Sequence, residues 1–137
     1  MNIDRFTDSP AHAVRIPEGW HSGAPYSPAV VIGPLVFLSG AVPIDPASGD
    51  TVGLDITAQT ERVLDNLELL LQEAGGDLSD VIKTTVFLVD AKLAAGMNAV
   101  YARRFTGVLP ARSTVQVGPL ARPEYLIEIE AIAVLRT

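Results

Sequence analysis

The chain of 137 residues contains no cysteine and only two histidines. The lack of cysteine excludes disulfide bonds, thiolate metal sites and a cysteine nucleophile. His12 and His21 lie in no motif with a serine and an acid, so a Ser-His-acid hydrolase is also excluded. Any catalytic site must therefore do without a thiol or a histidine-activated serine.

Basic residues are scarce as well, with ten lysines and arginines against sixteen aspartates and glutamates. The formal net charge of −6 repels phosphate backbones, so we do not expect a nucleic acid as partner. The uncharged stretch at residues 26–43 contains three prolines and two glycines, which indicates strands and turns rather than a membrane span. The first ten residues lack the apolar run of a secretory signal, and the simplest expectation is a cytoplasmic protein.

Size and hydrophobic content together predict one domain that associates with other subunits. A chain of this length suits a single core and is too short for two ordinary domains. We expect residues 1–25, with their prolines and glycines, to form an irregular lead-in and residues 26–137 to form the domain. Hydrophobic residues make up 48% of the chain and charged residues 19%, an excess that an oligomer interface would bury.

Residue periodicity predicts the secondary structure of this domain. Apolar residues recur at three- and four-residue spacing in residues 56–74 and 91–105, which predicts two amphipathic helices. The order of two strands, helix, strand, helix and two strands predicts an α+β fold with both helices on one face of a mainly β sheet. The predicted strands are rich in β-branched residues and lie at residues 29–32, 35–42, 81–89, 113–117 and 126–135.

Alternation along the last predicted strand separates two faces of different chemistry. One face is apolar from Ile127 to Leu135 and suits packing against the helices. The other mixes Glu128 and Glu130 with large aliphatic residues that a solvated face would not favour. We therefore expect another subunit to cover that face, and we expect both Glu128 and Arg112 of the preceding strand to project from it.

Five sequence motifs carry a resemblance to a known family. LSGAVP, AQTERVLDNL, VIKTTVFLVD, PARSTVQV and IEIEAIAV occur in the order and spacing of the YjgF/RidA family of imine deaminases, from about Pro25 to Val134. The resemblance implies a chorismate-mutase-like mixed β-sheet with two helices packed on one face, assembled as a homotrimer with a cleft at each subunit interface. It also implies a hydrolase that converts 2-imino or enamine acids to 2-keto acids and ammonia, without metal or cofactor.

The resemblance assigns roles to six residues. In the deaminases the arginine of the PARS motif holds the substrate carboxylate and the first glutamate of the EIE motif activates water, which implies that Arg112 and Glu128 are catalytic. An arginine suits the first role because its planar guanidinium donates two parallel hydrogen bonds to a carboxylate. A carboxyl group that accepts and returns a proton suits the second. The substrate-binding residues implied by the resemblance are Tyr26, Ser39, Asn98 and Thr114.

Three positions depart from the pattern of the deaminases. Ala24 stands where the family usually has glycine, Ala41 where glutamine is frequent, and Thr114 where cysteine is common. A threonine is similar in size to a cysteine but adds a hydroxyl group, which would favour a more polar substrate side chain. These departures bear on substrate range more than on the chemistry.

Two other functions remain open at this point. One is a pathway-specific enamine deaminase of the aminoacrylate or aminomuconate type, and the other is a non-catalytic trimer that binds small carboxylates. On residue type alone, Arg112 would be a surface ion-pair partner, Glu128 a solvated strand residue, and Tyr26 a packing aromatic. Asn98 would be an amide on a helix surface.

Overall fold

The structure, a computed structural model, describes residues 10–17, 20 and 23–136. These residues form two α-helices and six strands, β1 His12–Ala13, β2 Ala29–Ile32, β3 Leu35–Ala41, α1 Ile56–Ala74, β4 Val81–Leu88, α2 Ala94–Arg104, β5 Ala111–Gln116 and β6 Ile127–Val134. The strands form one sheet in the order β1-β2-β3-β6-β4-β5, in which only β4 and β5 run parallel. The predicted α+β fold with a mixed sheet is therefore confirmed. No helix in the described ranges is long and apolar enough to cross a membrane.

The structure differs from the sequence prediction at the lead-in and at the start of the second helix. Strand β1 pairs with β2, so part of the lead-in that we expected to be irregular forms an edge of the sheet. Residues Ala91–Leu93 form a 3₁₀ turn, and the α-helix begins only at Ala94. The Asp90 side chain caps this turn, which accounts for the later start of the helix.

Helix α1 begins and ends where local chemistry satisfies its terminal backbone groups. The Asp55 carboxylate accepts a hydrogen bond from Ala58 N at 2.8 Å, which caps the first turn. At the other end Gly75 takes a φ of 96°, and its N–H donates to carbonyls of the last turn. The face of α1 turned toward the sheet is buried and includes Val63, Leu64, Leu67, Leu70 and Leu71.

A buried glutamine side chain ties α1 to the segment that enters β6. Gln59 Nε2 donates to the carbonyls of Gly53 at 3.1 Å and Glu124 at 2.8 Å. Its Oε1 accepts from Leu126 N at 2.7 Å. Because the amide is fully buried, these three bonds replace the water that it would otherwise bind. The clamp therefore fixes the chain two residues before Glu128.

The two faces of the sheet have different surroundings. The helix face packs against α1 and α2, and the prediction that the apolar side of β6 lies there is confirmed by the burial of Ile127 and Ile129. We call the opposite side, which no helix of the described residues covers, the open face. It carries large apolar side chains in solvent, with Phe37 45% and Val115 42% exposed. A single chain therefore leaves hydrophobic surface uncovered on this face.

Candidate active site

Arg112 lies on β5, the edge strand, and turns toward helix α2. Its position is in register with Thr84 of β4, whose buried hydroxyl forms a 2.8 Å hydrogen bond with the hydroxyl of Tyr101 in α2. The guanidinium carbon lies 4.8 Å from the centroid of the Tyr101 ring, and Arg112 Nη1 lies 3.8 Å from Met97 Sδ. The aromatic ring and the thioether therefore support the guanidinium from the helix side.

The prediction that Arg112 projects from the open face is wrong. In a parallel pair, residues in register share a face, and Thr84 faces the helices. Thr114 lies on the same side as Arg112, because it is in register with the buried Val86. Alternation alone could group Arg112 with Thr114, but it could not tell which side of the sheet this pair occupies.

Asn98 lies in α2, one residue after Met97, and its side chain is exposed. It therefore belongs to the stretch of helix that borders Arg112. We call Arg112, Thr114 and Asn98 the arginine half-site. Each of its three side chains is exposed in the single chain, so a ligand or another subunit can reach them.

The guanidinium of Arg112 has no carboxylate partner among the described residues. By contrast, Arg104 forms ion pairs with Glu61, Asp65 and Glu68 at 2.7 to 3.1 Å. The interpretation of Arg112 as a surface ion-pair partner therefore fails within the described chain. Apart from the contact of Nη1 with Met97 Sδ, its N–H donors remain available for the two parallel hydrogen bonds that a planar carboxylate accepts.

Glu128 lies on the open face of β6, opposite Phe87 of β4. It is half-buried, and no hydrogen bond or ion pair engages its carboxylate among the described residues. Burial, and secondly the negative charge of Glu130, raise the pKa of Glu128 above its ordinary value. A carboxyl with a raised pKa holds a proton closer to neutral pH, as a group that must accept and return a proton requires.

Ser39 and Tyr26 lie on strand β3 and on the segment beside it. The Ser39 hydroxyl donates to the carbonyl of Ser27 at 2.7 Å, and its N–H donates to Pro28 O at 2.8 Å. These two bonds hold Ser27 and Pro28, which follow Tyr26, against β3. Tyr26 is 54% exposed, so its ring does not act as a buried packing aromatic in the single chain.

Gly40 follows Ser39 and lies against the side chain of Glu128. Strand β3 carries one extra residue here, since Leu38 pairs with Ala131 but Ala41 pairs with Ile129. We call Glu128, Gly40, Ser39 and Tyr26 the glutamate half-site. The sequence indicated all of these residues except Gly40 as site residues, and it did not indicate the Tyr101 ring beneath Arg112. The four-residue spacing of Met97 and Tyr101 on one helix could have suggested a shared contact.

The two half-sites do not meet within one chain. Arg112 faces the helices and Glu128 faces the opposite way, and β4 lies between their strands. A ligand that contacts both residues must therefore reach Glu128 on one chain and Arg112 on another. The candidate site is therefore incomplete in a single chain.

A cleft of about 530 Å³ elsewhere in the molecule contains none of the predicted site residues. It lies near the end of α2 and is lined by Arg103, Arg104 and Arg136 among others. All three arginines are engaged in ion pairs with carboxylates. Within the ranges that the structure describes, no group of three or more histidine, aspartate or glutamate side chains could hold a metal ion.

Comparison with known proteins identifies the family. Residues 19–135 match the family model described as Endoribonuclease L-PSP. The chain belongs to this family. The resemblance to the YjgF/RidA proteins is confirmed, since a solved structure from Yersinia pestis, titled a protein of unknown function of the conserved Rid family, has a TM-score of 0.86 and 35% identity. That alignment covers 92% of this chain and 100% of the other. The present chain therefore has a chorismate-mutase-like fold, as the resemblance implied.

Two curated relatives show how names vary among Rid-family proteins. A RutC family protein of Pyrococcus abyssi is 47% identical over 109 residues, which cover 80% of this chain and 85% of the relative. A mouse protein named 2-iminobutanoate/2-iminopropanoate deaminase is 42% identical over 110 residues, which cover 80% and 81% of the two chains. Both alignments span most of each chain, so they compare whole domains rather than a shared fragment.

Proposed function

We propose that this protein is a hydrolytic deaminase that converts 2-imino and enamine acids to 2-keto acids and ammonia. It acts as a homotrimer in which each active site joins the arginine half-site of one subunit to the glutamate half-site of the next. The observation that carries the proposal is the presence, on opposite faces of the sheet, of a guanidinium without a carboxylate partner among the described residues and a carboxyl of raised pKa. The similarity to the mouse deaminase supports the reaction type.

The exposed apolar side chains of the open face support assembly. Phe37 and Val115 lose contact with water when a second copy covers them, which is a favourable change of about 25 cal/mol per Å² of apolar surface. A copy that covers the open face also brings its own β5 edge near Glu128. Assembly thus removes the exposed hydrophobic surface and completes the site in one step.

The reaction needs only the groups present in the two half-sites. Arg112 binds the substrate carboxylate through two parallel hydrogen bonds and so orients the C=N bond. Water adds to the imine carbon while the Glu128 carboxylate accepts a proton from that water, and the Glu128 carboxyl then gives this proton to the nitrogen, which forms a carbinolamine. Glu128 then serves the second transfer, in which the hydroxyl proton of the carbinolamine moves to nitrogen. The C–N bond breaks, the C=O bond forms, and ammonia leaves.

The acidity of the chain bears on the endoribonuclease named in the family description. An RNA substrate carries one phosphate per nucleotide, and a protein that binds it gains affinity by releasing counterions at basic residues. The formal net charge of −6 works against such binding. A small carboxylate needs only a single well-placed arginine, and Arg112 meets that requirement.

Turnover by matched variants tests the proposed function. Imines generated by an amino acid oxidase are supplied to each variant, and keto acid release above the uncatalysed rate is measured. Glu128→Ala is expected to lower kcat by about a hundredfold or more, and Arg112→Ala to raise KM as well. Arg103→Ala, on the remote cleft, serves as the control and retains turnover.

The same assay separates the remaining alternatives. Similar rates with imines of several amino acids support the broad deaminase, whereas one strongly preferred enamine identifies a pathway-specific enzyme. A wild-type trimer that binds keto acids but releases no ammonia overturns the proposal and leaves a carboxylate-binding protein. In that case Arg112→Ala abolishes binding while Glu128→Ala has no effect.

A further inference from the structure

Gly40 has no conformational reason to be a glycine. Five glycines in the described residues take positive φ angles that disfavour other residues, at positions 23, 33, 49, 53 and 75. Gly40 is not among them, and it lies at the end of a β-strand whose backbone any L residue can adopt. The requirement for glycine at position 40 must therefore come from the space around it.

That space is filled by the side chain of Glu128. A Cβ atom at position 40 would lie 2.5 Å from Glu128 Oε1, 2.7 Å from Cδ and 2.9 Å from Cγ. Rotation of the terminal carboxylate alone would not relieve these contacts, because the Cγ atom is also too close. Relief of the clash therefore requires a change of the Glu128 rotamer or a shift of the β3 backbone.

We propose that Gly40 is a positioning residue for Glu128, whose side chain occupies the volume that a Cβ atom at position 40 would fill. The extra residue in β3 brings the bare backbone of Gly40 to that point. The contact holds the carboxylate down on the open face, where a neighbouring subunit would present Arg112. The catalytic consequence rests on the proposed function, whereas the steric relation between residues 40 and 128 does not.

The burial of Glu128 and the charges around it predict how its pKa changes when its side chain moves away from Gly40. Burial is the main cause of its raised pKa, and Glu130 on the same strand adds to it. Tyr125, in the segment before β6, also interacts electrostatically with Glu128. Lys83 lies on the same face of β4 as Phe87, the residue opposite Glu128, and four residues before it. Its Nζ donates to the hydroxyl of Ser113 on β5. Strand β3 contributes no titratable group. Displacement into solvent therefore lowers the pKa of Glu128.

A double-mutant cycle tests the steric relation without any substrate. Thermal unfolding is measured for wild type, Gly40→Ala, Glu128→Ala and the double variant. We expect Gly40→Ala to change the Tm less favourably in wild type than in Glu128→Ala, which lacks the clashing atoms. The control is Gly107→Ala, because a Cβ there meets nothing within 4 Å and the backbone φ is not positive. It should shift the Tm by the same small amount in wild type and in Glu128→Ala.

The outcome of the cycle is informative even if Gly40→Ala does not fold. If the double variant folds and Gly40→Ala does not, the result supports the proposal. If neither of these two variants folds, or if Gly40→Ala causes an equal loss of Tm in both backgrounds, the proposal is overturned. Carboxyl carbon NMR then follows the titration of Glu128 in Gly40→Ala, or in Gly40→Ser if the alanine variant is insoluble. The titration midpoint should move to lower pH, and an unchanged midpoint contradicts the proposal.

Turnover separates this proposal from the proposed function. If the protein is a deaminase, Gly40→Ala lowers kcat at least about tenfold with little change in KM, since the arginine half-site is untouched. If wild type shows no deamination, the proposed function fails while the cycle and the titration still decide the role of Gly40. If wild type is active and the double-mutant cycle shows the expected coupling, but Gly40→Ala keeps the wild-type kcat, the positioning role is overturned.

Discussion

Mixing two inactive variants tests whether each active site is shared between subunits. Arg112→Ala removes the arginine half-site and Glu128→Ala removes the glutamate half-site. Neither variant can complete a site in its own homotrimer, because all three subunits lack the same residue. Arg112 faces α2 and Glu128 lies on the open face, so the two residues of one site must come from different subunits. In a mixed trimer, a site is restored when its arginine comes from a Glu128→Ala subunit and its glutamate from an Arg112→Ala subunit.

The turnover expected from the mixture depends on the proportions of Arg112→Ala and Glu128→Ala subunits. With equal amounts and random assembly, each of the two conditions holds for half of the subunits, so about a quarter of the sites are restored. We therefore expect about 25% of the wild-type turnover from the unfractionated mixture and about a third from isolated mixed trimers, each of which has one restored site, against background turnover from each variant alone. Varying the mixing ratio should give the greatest activity at equal amounts, because the product of the two fractions is largest there.

The assay uses subunits that have been unfolded together and refolded, with a tag on one variant so that mixed trimers can be isolated. A mixture of Arg112→Ala with the Arg112→Ala/Glu128→Ala double variant is the control, since no subunit in it supplies the arginine. Isolated mixed trimers without turnover above this control refute a shared site. A sedimentation experiment that shows only monomer at micromolar concentration refutes the assembly on which the reasoning depends.

Three further predictions concern residues around the half-sites. Glu128→Gln should raise the free energy of unfolding at neutral pH, because a carboxyl with a raised pKa destabilises the fold when it is ionised. Denaturant unfolding should show that this gain in stability vanishes below about pH 4, where the carboxyl is protonated in both the folded and the unfolded state. Tyr101→Phe should leave the Thr84 hydroxyl unpaired and cost about 1–3 kcal/mol of unfolding free energy, while Tyr101→Leu should also raise KM by removing the ring beneath Arg112. Gln59→Leu should cost at least about 1–3 kcal/mol by denaturant unfolding, because three backbone groups lose their partner.

Much of the fold could be predicted because its elements are regular and strongly patterned. The apolar spacing of α1 and the glycine pair after it gave both ends of the helix, Ile56 and Ala74. Strand β1 could not be predicted in the same way, since two residues carry no periodicity. Its position depends on pairing with β2, a contact between distant parts of the chain that local pattern does not encode.

The candidate site was predicted less completely than the fold. The resemblance supplied Arg112 and Glu128, and alternation along β6 correctly placed Glu128 on the open face. The side taken by Arg112 was missed because every residue of β5 is exposed, so the strand shows no apolar stripe that would mark its inner face. Only the register of β5 on β4 gives that information, and register is a property of the folded sheet.

The structure also narrows the search for what sets substrate range. The departure at Ala41 does not bear on the open face, because this side chain is 3% exposed and belongs to the core between sheet and helices. Thr114 is different, since it lies two residues from Arg112 on the same side of the same strand, roughly 6.6 Å along it. A substrate whose carboxylate is held by Arg112 would extend over a distance of this order. The hydroxyl at position 114, and not the methyl at position 41, is therefore where a preference for polar substrate side chains would arise.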